Sequence, residues 1–215
     1  MATSSCLKIT TSGLVFALDA ADKLSYPGSG TSWKDLSGNA YNATLTNGPT
    51  FTNAFAGNIV FDGTNDYAIS TVTGGLGTGD FTLEFWFYKN TDAGMVFNSR
   101  SGGDSTDGID ISRNLGTTTR FSVIFNEVTV NTSTWTHVFI GRSSGTMYRY
   151  INLSLNGSTA IGNSFTGTTF NIGGNPAGNV GYLNGYMPIV RLYNKFLSLD
   201  ERSTNYNATR IRFKV

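Results

Sequence analysis

The side chains able to do chemistry are few and scattered. The 215-residue chain holds three glutamates (Glu84, Glu127 and Glu201), one histidine (His137) and one cysteine (Cys6). A single cysteine excludes an internal disulfide and a multi-thiolate metal site. A single histidine excludes a His-cluster zinc site and leaves little room for Ser-His-Asp catalysis. Glycoside hydrolysis needs two carboxyl groups facing each other across about 5–9.5 Å. Here the glutamates are far apart, and the residues two and four beyond Glu84 are Trp86 and Tyr88, so no acid repeats on its strand face. Two acidic groups remain. Asp62, Asn65 and Asp66 carry the hard oxygens that calcium takes, and as a rim they suit a sugar hydroxyl. The same residue types stabilise a tight turn through local hydrogen bonds, which is the plainer account. Asp104, Asp107 and Asp110 are spaced by three, which is not an EF-hand pattern, and read as a solvated loop. His137 follows Trp135 on one strand face and reads as a packing residue rather than a ligand.

The elements that position these groups read as strands. Phe81, Leu83, Phe85 and Phe87 alternate with Thr82, Glu84, Trp86 and Tyr88, the period of two that sends neighbours to opposite faces. The first face is wholly apolar and demands a second layer. The other, with Glu84 beside Trp86, is expected to be only partly covered. Gly13–Ala20, Trp135–Ile140, Thr169–Ile172 and Gly185–Tyr193 read as further strands. Gly57–Asp62 and Tyr67–Thr71 read as a hairpin closed at Asp62-Gly63, and Met95–Asn98 as the continuation of a meander. Met147–Leu155 reads as one strand closed by the Asn156-Gly157 turn signal. Trp33 and Leu36 are expected to pin the Gly- and Pro-rich loop of residues 25–50 onto the core. Ser198-Leu-Asp-Glu201 is a capping box that opens one helix running to about Ala208. The segment 210–215 is expected to pair as an edge strand or to dock on another chain.

Composition bounds the function. Charged residues make up 13% and the net charge is +1, so the chain lacks the basic footprint that nucleic acid or an anionic membrane would need. No window approaches the roughly 18 apolar residues of a membrane span. The first residues lack the basic and apolar regions of a secretory signal, so the expectation is a soluble product of the cytoplasm that makes it, carried outside, if at all, by a route other than general secretion. The Asn-x-Ser/Thr matches at Asn42, Asn131, Asn152, Asn156 and Asn207 arise by chance in so Asn- and Thr-rich a chain.

Several motifs fall in one order: Trp33-Lys-Asp-Leu-Ser-Gly-Asn39, Phe61-Asp-Gly-Thr-Asn-Asp-Tyr67, Phe81-Thr-Leu-Glu-Phe-Trp86, Trp135-Thr-His-Val138, Ile172-Gly-Gly174, Tyr182-Leu-Asn-Gly-Tyr186, Val190-Arg-Leu-Tyr-Asn194 and Leu197-Ser-Leu-Asp-Glu201. Together the set resembles the laminin-G-like branch of the concanavalin A-like lectin/glucanase superfamily. The resemblance implies an all-β fold: a two-sheet antiparallel jelly-roll sandwich over residues 13–210 with one short C-terminal helix, an N-terminal arm (1–12) and a tail (211–215). It also implies glycan or calcium at a rim, for which Asp62, Asn65 and Asp66 are the candidates. The Glu-x-Asp-x-x-Glu pattern of the superfamily's glucanases is absent, so no catalytic residue and no enzyme activity are expected. Stand-alone versions look like decoration, fibre or tail proteins of tailed bacteriophages. That likeness implies a virion protein, a homo-oligomer or one bound to capsid or tail, with no nucleic-acid or membrane partner. Leu7, Ile9, Arg210, Ile211, Arg212 and Phe213 are the candidate docking residues.

Overall fold

The computed structural model describes residues 8–92, 94–99, 108–113, 119–121, 130–162, 164–176 and 181–215. The strands in chain order are β1 (Leu14–Asp19), β2 (Ser32–Trp33), β3 (Ala43–Thr46), β4 (Thr50–Thr52), β5 (Asn58–Asp62), β6 (Tyr67–Thr71), β7 (Phe81–Lys89) and β8 (Met95–Asn98). They continue as β9 (Asp110–Arg113), β10 (Thr119–Phe121), β11 (Trp135–Ser143), β12 (Thr146–Ile151), β13 (Ser154–Ala160), β14 (Thr169–Ile172) and β15 (Asn184–Tyr193). One helix, α1 (Leu199–Arg210), follows, then a single 3-10 turn over Ile211–Phe213.

The strands form two antiparallel sheets. The first runs β13-β12-β11-β7-β15-β5-β4, with β1 pairing beside β5 along the free edge of β15. The second runs β10-β9-β8-β14-β6-β3-β2. This is the expected all-β antiparallel sandwich with one short C-terminal helix. The core between the layers is lined by Phe81, Leu83, Phe85 and Phe87 from β7, Val138 and Ile140 from β11, and Phe97, Phe170 and Ile172 from the second sheet. Phe85 stacks on Phe97 at 6.3 Å with nearly parallel rings. Burying one such ring contributes roughly 1.5–3 kcal/mol, so the four core side chains of β7 add substantially to cohesion.

β15 shows why its neighbours read so regularly. Met187, Val190 and Leu192 all face the core, an odd-to-even switch that a plain strand cannot make. The register against β7 shifts between Tyr186 and Ile189, around Pro188. Proline has no N–H for the ladder and is tolerated where a bulge removes the need.

Several expectations are corrected. β5 and β6 are not a hairpin: β5 pairs with β4 and β15 in the first sheet, β6 with β3 and β14 in the second. The Asp62–Asp66 turn is therefore an arch between layers. β7 and β8 likewise lie in different sheets, so no meander joins them. Met147–Leu155 is not one strand. The chain reverses at Asn152-Leu153, both left-handed (φ 48° and 68°), as a two-residue hairpin loop demands. Asn156 is instead the extra residue of a bulge, because Arg149 faces Gly157 and Tyr150 faces Leu155. Its side-chain and main-chain oxygens accept from the Arg149 guanidinium at 2.9 Å each. The Asn-Gly signal marked a distortion three positions past Leu153. Trp33 is fully buried as expected, but Leu36 is 39% exposed. Asp35 pins that loop: its carboxylate accepts from the backbone of Ala17, Ser37 and Tyr41 at 2.8–3.1 Å.

Candidate functional site

The outer face of β7 is where the sequence expectation fails most. Glu84 was expected on a partly covered surface, yet it is 0% exposed. Helix α1 lies over it. The capping box forms as the sequence dictates, with Ser198 Oγ accepting from the Glu201 N–H at 3.3 Å and Glu201 Oε2 from the Ser198 N–H at 3.0 Å. The helix then lays a polar stripe of Arg202, Asn205 and Thr209 onto the sheet. Asn205 Nδ2 donates to Glu84 Oε2 at 2.7 Å and to the Tyr193 hydroxyl at 2.9 Å. Its Oδ1 accepts from the Thr10 N–H at 2.8 Å, so one amide ties the N-terminal segment, the helix and the sheet. The Trp86 indole donates to Thr209 Oγ1 at 2.9 Å, and Tyr206 stacks on Trp86.

Glu84 Oε1 completes the network with Arg191 Nη1 and His137 Nε2, each at 3.1 Å. Burial alone would raise the Glu84 carboxyl. The Arg191 guanidinium, with His137 and Asn205, outweighs it and holds the group below its ordinary value. Burial pushes the His137 imidazole down, against the pull of Glu84, so it is neutral and donates through Nε2. Burial likewise raises the Tyr193 hydroxyl. His137 thus sits inside the protein as a bonded packing group. The Glu84 carboxylate is fixed from three directions by Arg191, His137 and Asn205 and lies wholly beneath the helix.

The expected rim residues come together at the β5–β6 arch. Asp62 and Asn65 are exposed and Asp66 is buried. Asp62 Oδ1 accepts from the Thr64 N–H at 2.7 Å, and that bond, with others from the arch backbone, lowers its carboxyl. Asp66 Oδ2 accepts from the Asp62 N–H at 3.1 Å, while burial raises its carboxyl. Asn65 offers its carbonyl to Asn47 Nδ2 at 3.0 Å. Gly63 holds φ +80°, and a Cβ there would come within 2.8 Å of the Asn184 Cβ, so the arch needs glycine. Among the described residues no three Asp, Glu, His or Cys side chains gather as a metal site. Asp104 and Asp107 lie outside the described residues, and Asp110 opens β9 opposite Asn98.

The terminal candidates separate. Phe213 is buried against Trp86 and Trp135, with ring centroids at 4.4 Å from each. Arg212 pairs with both oxygens of Asp19 at 2.9 Å. The tail therefore folds onto its own sheet rather than pairing as an edge strand. Arg210 is exposed and bonds Asn207 Oδ1 and the Val215 carbonyl. Ile211 is 68% exposed, Ile9 is half-buried, and Leu7 lies outside the described residues.

A recess of about 610 Å³ opens where the tail meets β11, a volume within the roughly 300–1,000 Å³ of small-molecule sites. Trp135, Tyr88, Phe55 and Phe213 form its aromatic part, with Phe55 edge-on to Trp135 at 5.3 Å. Asn131, Ser133, Thr134, Thr136 and Asn152 supply amides and hydroxyls. Three of its lining residues are left-handed without being glycine: Phe55 (φ 51°), Ser133 (φ 57°) and Asn152 (φ 48°). At Phe55 and Ser133 such a conformation costs about 1–3 kcal/mol and is of the kind that gathers at functional sites, whereas Asn152 owes its φ to the β12–β13 hairpin loop. Sequence reading did not find this site. Its members are some 160 residues apart, and Asn131 and Asn152 stood out only as chance glycosylation motifs.

Residues 62–201, well over half of the chain, match the family described as the concanavalin A-like lectin/glucanases superfamily, and the chain belongs to that superfamily. Among curated proteins none matches it in sequence. The fold is similar to domain 4 of AbnA, a GH43 extracellular arabinanase from Geobacillus stearothermophilus, solved with arabinotriose (14% identity, 91% of this chain and 98% of that one, TM-score 0.68). It is also similar to the botulinum neurotoxin serotype D ligand binding domain with N-acetylneuraminic acid (16%, 94% and 52%, TM-score 0.69). A third likeness is to Trypanosoma rangeli sialidase with sialic acid (17%, 94% and 34%, TM-score 0.67). The chain thus spans about half of the toxin domain and a third of the sialidase.

Proposed function

We propose that this domain is a non-enzymatic, lectin-like adhesion module that binds carbohydrate and serves as a structural component of a bacteriophage particle, as capsid decoration, fibre or tail. The observation that carries the non-catalytic part is Glu84: buried under α1 and held by Arg191, His137 and Asn205, it has no path to a glycosidic bond. Glu201 is occupied by its cap and by Lys195 at 2.5 Å. The carbohydrate part is supported by the superfamily and by similar folds solved with arabinotriose and sialic acid. The particle part is supported by a surface rich in Thr, Ser, Asn and Gly and low in charge. In this reading Ile211, an exposed apolar side chain beside a tied-down tail, is the contact for a neighbouring virion protein or a second copy.

Two measurements test the reading. A glycan array run with and without calcium should give sugar binding, and loss on chelation would show that the binding needs calcium. Mass spectrometry of purified particles should find the chain at a fixed copy number. Absence from particles overturns the virion role, and glycan release by the purified protein overturns the non-enzymatic one.

A further inference from the structure

We infer that the recess beside Trp135 is a binding site for an uncharged saccharide, held by the Asn152 carboxamide and packed against the Phe55 ring. This deepens the carbohydrate reading above and rests on it. The first argument is a pre-set donor. Asn152 Oδ1 accepts from the His137 N–H at 2.9 Å, and the Asn152 N–H donates to the His137 carbonyl at 3.0 Å. With the amide oxygen fixed on β11, the exposed side chain must turn its NH2 group the other way. A held amide donor loses little freedom on meeting a ligand hydroxyl.

The second argument is apolar surface with a polar handle. Phe55 is 37% exposed although its ring sits edge-on to Trp135. The buried indole N–H of Trp135 has no hydrogen-bond partner among the described residues, which is uncommon for a buried donor. A sugar ring offers both things this surface lacks, a C–H face for the aromatic rings and hydroxyls for the amide. The third argument is charge. No Asp, Glu, Lys or Arg side chain lines the recess among the described residues. A sialylated or sulfated ligand would bury its anion there without a counter-charge, at a cost a neutral ring avoids. The fourth is strain: Phe55 holds left-handed backbone (φ 51°), which a bulky side chain rarely adopts, whereas Asn152 takes its positive φ from the hairpin loop.

The test uses the full chain on an array carrying neutral hexose, N-acetylhexosamine and pentose oligosaccharides beside sialylated and sulfated ones. The strongest neutral oligosaccharide then goes to titration calorimetry with wild type, Asn152→Asp and Phe55→Gly. Asn152→Asp keeps an oxygen for the His137 N–H and tolerates left-handed backbone, but removes the donor. Phe55→Gly suits the positive φ and removes the ring. Both should weaken binding at least tenfold with the melting temperature within a few degrees of wild type. Sugar should also shift tryptophan emission in wild type and not in the variants. If neutral sugar binds both folded variants as tightly as wild type, the recess is overturned while the carbohydrate reading stands. If only acidic glycans bind, the ligand class is overturned. If no glycan binds at all, the carbohydrate reading and the recess fall together.

Discussion

The two faces of β7 solve the same problem by opposite means. The inner face buries four apolar side chains against the second sheet and needs no directional bond. The outer face buries Thr82, Glu84 and Trp86 under a helix whose buried stripe is Arg202, Asn205 and Thr209. There, cohesion comes from specific partners: Thr82 Oγ1 accepts from the Leu197 N–H and donates to the Lys195 carbonyl, both at 2.9 Å, and Arg202 lies 3.8 Å over the Tyr150 ring, while Arg202 Nε and Nη1 and His137 Nδ1 find no hydrogen-bond partner among the described residues. An apolar face tolerates any partner of suitable volume, whereas a polar face accepts only the partner whose donors match. The inner face therefore supplies cohesion and the outer face fixes where the C-terminal helix docks.

The comparison can be broken most sharply at adjacent residues. Glu84→Ala leaves the buried Arg191 guanidinium with only the Asp19 carboxylate, 3.9 Å away, and should cost about 3–5 kcal/mol in urea unfolding at pH 7. Phe85→Ala should cost a similar ~3–5 kcal/mol through transfer and cavity. The distinction is rescue: replacing both Glu84 and Arg191 by Met should recover most of the first loss, since the pair is then absent rather than broken. If the double variant is no more stable than Glu84→Ala, the network is not the cause of the loss.

A smaller effect is expected from Asn205→Ala. It strips partners from Glu84, Tyr193 and Thr10 while leaving the ion pair, at a cost of about 1–3 kcal/mol. Amide exchange in α1 should accelerate more than in β14, because β14 belongs to the other layer. Smaller again, Ser198→Ala removes the acceptor at the head of α1 and should cost about 1 kcal/mol.

The mildest probe is pH. The folded His137 lies below the ordinary imidazole value of 6.5, so above pH 6.5 both folded and unfolded states are neutral and stability is complete. Below 6.5 the unfolded chain takes up a proton that the folded one refuses, and stability falls as pH drops. Glu84, also depressed, adds a second loss below its ordinary 4.5. Melting temperature should be lower at pH 5.5 than at 7.5 in wild type and in Phe85→Ala alike. In His137→Gln that difference should shrink, and an unchanged slope there would remove His137 as its source.

Much of the fold was readable because period-two alternation is a local property. Phe81 to Tyr88 declared its inner face by residue type alone, Trp135 to Ile140 and Gly185 to Tyr193 declared themselves strands, and the Ser198–Glu201 box declared the start of the helix. Local signals misled where two structures use the same chemistry. Asp62-Gly63 suits a hairpin and an inter-layer arch equally, since both require a left-handed glycine. Asn156-Gly157 reads as a turn but sits in a bulge with no left-handed residue, while the reversal itself falls on Asn152-Leu153, where Leu rarely accepts positive φ.

The sequence by itself determined that this chain would form strands with one greasy face, close a sandwich around them, and lack the repeated acids of a hydrolase. Only the tertiary structure decided what covers Glu84 and which side chains line the recess at Trp135. The physical reason is range: backbone periodicity is set by neighbours one or two positions away, whereas a helix seated by Asn205 on Glu84, or Phe55 against Trp135, depends on contacts between residues 80 to 120 positions apart, which no local pattern records.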